Sequence, residues 1–349
     1  MNIGMKAIWM LAALFCLGTV TGAAQPEYTV NTRARAHDGV ARNVVLMIGD
    51  GMGSEHVWAA WIQNGGKLHI TSLPVTGFSI TTSGSHGITD SAAGGTAIAC
   101  GCKAVNGQLG LDLQGRAVES LAVRMRRAGK ATGIVVTKSV TDATPAAFYA
   151  HVKNRKDTAG IATALVGAGF NVIAGGGKDD FTAEQLAELE KKTSMLELAA
   201  PGECEPPDKR GDWMPRQVEK ALRVLEKDPD GFFLMVEGSR IDMEAHSNDM
   251  EGVLQETLDF DQAVGVVLEW MQKHPDTLLL VTADHQTGGL SLTDANRETG
   301  RVKGKFSTYR HSGVAVPVYA AGAGAGRFTG VRENTALAPE ICRAAGMKP

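Results

Sequence analysis

The chain has 349 residues, 44% hydrophobic and 21% charged, with a formal net charge of −3. That length suits one large α/β domain or two smaller ones, and a charge so near neutrality leaves no electrostatic footprint for nucleic acid.

Lys6 precedes an apolar run from Ala7 to Gly18, and small residues follow up to Ala24. A charged start, a dozen apolar residues and a small-residue exit predict a signal peptide over 1–24, cleaved beside Gln25. The run is too short to span a membrane, and bulky Phe15 argues against a lipoprotein site at Cys16. The mature chain, 25–349, is expected to be one domain, exported to a periplasmic or extracellular space. Export permits disulfides. Cys100 and Cys102 read as buried small residues, and a Cys204–Cys342 bridge stays open.

Residues 25–42 read as a flexible arm, polar and irregular. Asn43 to Ile48 is a continuous apolar run, the pattern of a strand buried on both faces. It ends at Gly49-Asp50-Gly51-Met52-Gly53. A carboxylate there stands where open α/β sheets gather ligand groups.

Ser91 follows in Thr89-Asp90-Ser91-Ala92-Ala93-Gly94-Gly95. Small residues let backbone approach a ligand, and a helix start offers free N–H groups to an anion. A serine at such a turn also serves as a plain N-cap. No Gly-x-Ser-x-Gly elbow surrounds it, so metal is the agent expected to activate it.

A helix is predicted over Ala117–Ala128 and a strand over Ala131–Thr137, with Asp142-Ala143-Thr144-Pro145 just beyond. His151 and Arg155 are four apart and would share a face if helical. Arginine is the usual bidentate clamp for phosphate. Asn171–Ala174 reads as a strand. Phe181–Asp212 reads as a charged surface excursion without chemistry, containing one short helix capped by Thr182 and Gln185.

A helix through Val218 and Leu225 leads to a strand at Phe232–Val236 and then to Glu237. Asp242 and His246 are four apart, one side of a helical turn, and a long helix runs on to Lys273. Thr277–Thr282 is a strand with Asp284 and His285 at its end. His311 precedes a last strand, Val314–Tyr319, a loop over 321–326 and a helix from about Ala338. The alternation predicts a mostly parallel central sheet with helices on both faces.

Asp50, Asp142, Thr144, Glu237, Asp242, His246, Asp284, His285 and His311 would thus collect along one sheet edge with Ser91 and Arg155. Mixed Asp/His ligands suit zinc, and Asp, Thr and Glu oxygens suit magnesium. Two zincs about 4 Å apart could hold both oxygens of an in-line phosphoryl displacement.

In order and wording these motifs resemble the alkaline phosphatase family. The resemblance rests on Ile48 to Gly53, Thr89 to Ala93, Asp142 to Ala147, Met235 to His246, Thr282 to His285 and the His311 loop. It implies that Ser91 is the nucleophile that becomes phosphoserine. Asp242, His246 and His311 would hold one zinc, at the leaving oxygen and then the attacking water. Asp50, Asp284 and His285 would hold a second, which activates Ser91. Asp50 would bridge to a magnesium also held by Thr144 and Glu237. Arg155 would clamp phosphoryl oxygens, with Asp90 and Asp142 behind it. The implied substrates are small phosphate monoesters, and a homodimer is open.

The chain departs from the family pattern twice. Met243 stands where the family usually shows lysine, histidine or tryptophan, and the His285–His311 interval is short, implying a reduced crown over the site. A phosphodiesterase or sulfatase of the same superfamily would usually lack the Asp-Thr-Glu set. A sulfatase would also want Cys/Ser-x-Pro-x-Arg, which does not surround Ser91. A non-catalytic relative would be expected to have lost a ligand or the nucleophile, and neither is missing.

Overall fold

The structure is a computed structural model and describes residues 17–20, 28–30 and 34–349. The expected signal peptide lies outside the described residues, apart from Leu17–Val20. That segment is a strand antiparallel to Arg301–Lys305.

The centre is a twisted sheet. Across it the strands run Gly330–Glu333, Val75–Ile80, Val316–Ala323, Thr277–Thr282, Asn43–Gly49, Phe232–Gly238, Ala131–Ser139, Val172–Gly176 and Met195–Leu198. The last six are mutually parallel. Val316–Ala323 runs antiparallel to both of its neighbours.

The continuous apolar runs are strands because both faces are covered. Val44, Leu46 and Ile48 enter one core with the helices Ser91–Cys100, Thr158–Ala168 and Leu337–Ala344. Val45 and Met47 enter the other with Trp213–Leu225 and Met250–Met271. Side chains alternate across a strand, so one unbroken run feeds two cores.

Five expectations need correction. The helix expected at Ala117 begins at Leu121, capped by Ser120, because Ala117 is bridged to Leu111. His151 and Arg155 do not share a helix face, since no helix forms there, and His151 is exposed. The arm is tied down in part: Ala36–His37 pairs with Gly322–Ala323, and Tyr28 donates to Asp261. The same pairing carries the last strand to Ala323, through what read as a loop. Lastly, the 181–212 excursion contributes more than surface. Its Thr182–Gln185 capping box forms as expected, yet Met195–Leu198 adds an edge strand. Arg210 turns inward to pair with buried Glu256 and Asp259.

The described cysteines are all free, so no Cys204–Cys342 bridge forms. Cys100 is buried as expected, while Cys102 is only partly so. No helix among the described residues is long and apolar enough to cross a membrane.

Candidate active site

Three buried strands deliver their ligands at the same edge. Asp50 follows Asn43–Gly49, Glu237 is the penultimate residue of Phe232–Gly238, and Asp284 and His285 follow Thr277–Thr282. Parallel pairing in register, with Ile48 opposite both Glu237 and Thr282, brings the three exits level. Gly51 makes the turn with φ of +69°, and a Cβ there would stand 3.0 Å from Asp242 Oδ1 and 2.7 Å from Thr287 Oγ1. A side chain at 51 would therefore be strained and would displace a ligand.

Ser91 opens the helix Ser91–Cys100, whose N-cap is Asp90: the Ala93 N–H donates to Asp90 Oδ1 at 3.0 Å. Gly94 and Gly95 let this helix lie against the site. A Cβ on Gly94 would meet the Asp284 carbonyl at 3.1 Å, and one on Gly95 would meet Thr144 Cα at 3.3 Å. Ser91 Oγ ends 3.2 Å from His285 Nε2.

Two ligand sets share this centre. Asp50, Asp284 and His285 form one. His285 Nε2 is 3.4 Å from Asp50 Oδ1 and 3.2 Å from Asp284 Oδ2. Asp242 and His311 form the other with that same His285, and His246 stands beside them. His246 Nε2 is 3.3 Å from Asp242 Oδ2, and His311 Nε2 is 3.6 Å from Asp242 Oδ1. The predicted turn is real, since Asp242 and His246 lie on the helix Arg240–His246.

The imidazoles are oriented as ligands. His246 Nδ1 meets the Tyr309 carbonyl at 2.7 Å, and His311 Nδ1 meets the Thr89 carbonyl at 2.8 Å. A carbonyl only accepts, so each Nδ1 carries a proton and each ring turns its Nε2 toward Asp242. The two Nε2 atoms lie 3.1 Å apart. The Thr287 hydroxyl, which sequence reasoning missed, settles the third ring. It donates to Asp242 Oδ1 at 2.5 Å and so accepts from His285 Nδ1 at 3.2 Å. Its signal is period two: on an extended strand, 285 and 287 point the same way.

The oxygen set is the most revealing. Both Asp50 oxygens, both Glu237 oxygens, Asp284 Oδ2 and Thr144 Oγ1 are buried with no hydrogen-bond partner among the described residues. Burial, then neighbouring Asp284, pushes Asp50 well above the usual carboxylate range. Burial raises Glu237 to about 8 and Asp284 to about 7. For Asp242, burial is outweighed by the His246 hydrogen bond and the surrounding imidazoles, which hold it low. Unpaired buried carboxylates are costly unless a cation compensates them. The donor chemistry therefore fits two mixed nitrogen–oxygen metal positions and one all-oxygen position.

Arg155 arrives from an irregular loop. Its Nη2 is 3.2 Å from Asp142 Oδ1 and its Nη1 is 3.5 Å from Asp90 Oδ2. Lys138, also missed, reaches Asp142 Oδ2 at 2.7 Å from the end of its strand. Of the residues singled out from the sequence, His151 stands apart, exposed, with its Nδ1 on the Gly110 carbonyl.

A sequence profile of the alkaline phosphatase family matches residues 41–202 and 190–305. The chain belongs to the alkaline phosphatase family. It is 33% identical over 329 residues to alkaline phosphatase 4 of Bacillus subtilis, covering 83% of this chain and 71% of that one. It is 29% identical over 422 residues to the alkaline phosphatase of Escherichia coli, covering 92% and 90%. The solved alkaline phosphatase of the Antarctic bacterium TAB5 superposes with a TM-score of 0.84 at 30% identity, covering 90% of this chain and all of that one. A variant of the TAB5 protein has been solved with Mg bound in its M3 site. As an alkaline phosphatase family member the chain is a metal-binding phosphoric monoester hydrolase.

Proposed function

We propose that the chain is an exported alkaline phosphatase that hydrolyses phosphate monoesters through a phosphoserine on Ser91. The observation that carries this reading is the position of Ser91 Oγ, 3.2 Å from His285 Nε2, where two ligand sets with unpartnered buried oxygens meet. Asp242, His246 and His311 would hold one zinc, Asp50, Asp284 and His285 a second, and Asp50, Thr144 and Glu237 a magnesium. Bound there, such ions lower the pKa of attached oxygen groups and neutralise charge that builds on the phosphoryl oxygens.

The chain's own groups supply positioning. Arg155 binds two phosphoryl oxygens as a fork, and Asp90 and Asp142 hold its guanidinium. Ser91 Oγ loses its proton to solvent and bonds to phosphorus as the bond to the leaving oxygen breaks, and that oxygen takes a proton from water. In the second step a water oxygen bonds to phosphorus, the Oγ–phosphorus bond breaks, and Ser91 regains a proton. Each displacement inverts phosphorus, so a chiral ester gives net retention.

Acid-quenched labelling with a radioactive phosphate ester, followed by peptide mapping, tests the scheme. Label on Ser91 is expected. Label on another residue, or net inversion, would overturn it. Ser91→Ala should keep the fold and zinc content while losing roughly 10³-fold in rate, because the charged groups around the ester remain. Cleavage beside Gln25 would also remove the Leu17–Val20 strand, leaving Ser291–Asn296 and Arg301–Lys305 as a two-stranded hairpin. N-terminal sequencing of the exported protein tests that step.

A further inference from the structure

We propose that Lys138 is a positioning residue for phosphate binding, acting through Asp142 on Arg155. The inference rests on the reading of Arg155 as the phosphoryl clamp.

Lys138, Asp142, Arg155 and Asp90 form a line of alternating charge. Lys138 Nζ lies 2.7 Å from Asp142 Oδ2, whose other oxygen lies 3.2 Å from Arg155 Nη2, and Arg155 Nη1 lies 3.5 Å from Asp90 Oδ2. The far end is fixed, because Asp90 caps the Ser91 helix with one oxygen and accepts from the Gly107 N–H at 2.9 Å with the other. Lys138 fixes the near end. It is the penultimate residue of the strand Ala131–Ser139, and only 14% of its side chain is exposed. Burial opposes its charge, but Asp142 and Asp50 outweigh that and keep it protonated.

The geometry divides Asp142 between two cations, one oxygen each. Without Lys138 both oxygens would turn to Arg155, the only other cation paired with Asp142 among the described residues. A guanidinium forked onto a partly buried carboxylate has fewer donors left for phosphate. Lys138 therefore keeps Arg155 available by occupying half of its competitor.

The test uses the full-length, zinc- and magnesium-loaded protein, with inorganic phosphate as inhibitor. In Lys138→Met the phosphate inhibition constant and KM should rise together by roughly tenfold. The kcat should stay within about threefold and zinc content should be unchanged. Lys138→Arg should restore most of the loss, which a merely structural defect would not predict. In an Asp142→Asn background, Lys138→Met should have no further effect. If Lys138→Met does not fold, Lys138→Gln is read in its place. Unchanged phosphate inhibition in a folded variant, or an equal loss in the Asp142→Asn background, would overturn the inference while leaving the phosphatase reading intact. A native chain that neither hydrolyses monoesters nor binds phosphate would overturn both.

Discussion

Between Asp242 and His246 the same helix carries Met243, half-buried and unable to donate a hydrogen bond or carry charge. On the proposed reading, phosphate would then rely on Arg155 and the metal positions. Met243→Lys or Met243→His should tighten inhibition by phosphate. One charge-assisted contact is worth about 1.5–3 kcal/mol before exposure reduces it. Equal inhibition constants in the three proteins would mean that 243 does not face the phosphate. Most residues proposed as ligands could be singled out in the sequence because they follow an unbroken apolar run or stand four residues from another, whereas His311 was found in the loop before the last strand. Lys138 was not, because nothing in its neighbourhood marks it, and Thr287 offered only its spacing of two from His285. Their meaning lies in Asp142, Asp242 and His285, which only the folded chain brings near.

The strands legible from sequence, such as Phe232–Gly238 and Thr277–Thr282, are buried on both faces along their whole length. Val75–Ile80 was missed because it alternates buried and exposed residues and holds the exposed Phe78. Met195–Leu198 was missed because it is a short edge strand of partly buried residues. The segment around Arg210 looked like polar surface for a related reason: its charge is satisfied from afar. Arg210 Nη2 lies 2.6 Å from both Glu256 Oε2 and Asp259 Oδ2 on the long helix, and Glu256 Oε1 lies 2.9 Å from Arg240 Nε. Arg240 opens the helix of Asp242 and His246. Arg210→Met should leave Glu256 and Asp259 underpaired and cost about 3–5 kcal/mol, as when one partner of a buried pair is removed. Denaturant melts of the metal-loaded protein check this, and a change below about 1 kcal/mol would show the network to be dispensable.

At the scale of the whole molecule, two sets of buried acids make stability conditional. The first belongs to the metal site. A chelator should lower both activity and melting temperature, and zinc with magnesium should restore them, because ions that bind only the folded state stabilise it by mass action. An unchanged melting temperature after verified metal removal would count against the ligand sets. The second is Asp261, fully buried, which receives Tyr28 and the His69 and Ile70 N–H groups. Burial raises it to about 6 in spite of those bonds. A raised acid favours the fold below its unfolded value near 4, and that contribution fades as pH rises through about 6. Two pH units correspond to about 3 kcal/mol. Asp261→Asn should therefore flatten the stability profile between pH 4 and 7 by up to that amount, measured against the native chain with chelator present throughout. An identical slope in the two proteins would exclude the effect.

The short interval between His285 and His311 has a closed neck. Gln286–Thr287 pairs antiparallel with His311–Ser312, and Gly288 exchanges backbone hydrogen bonds with Ser307, Thr308 and Arg310. Outward of that clasp stands the hairpin of Ser291–Asn296 and Arg301–Lys305, whose ends are already joined. Closing a longer loop costs only about 0.6 kcal/mol for each doubling of length. The clasp thus turns one point of a catalytic scaffold into an insertion port. Evolution can lengthen, shorten or exchange the cassette plugged into it, and an engineer can do the same, without renegotiating the geometry of the ligands on either side.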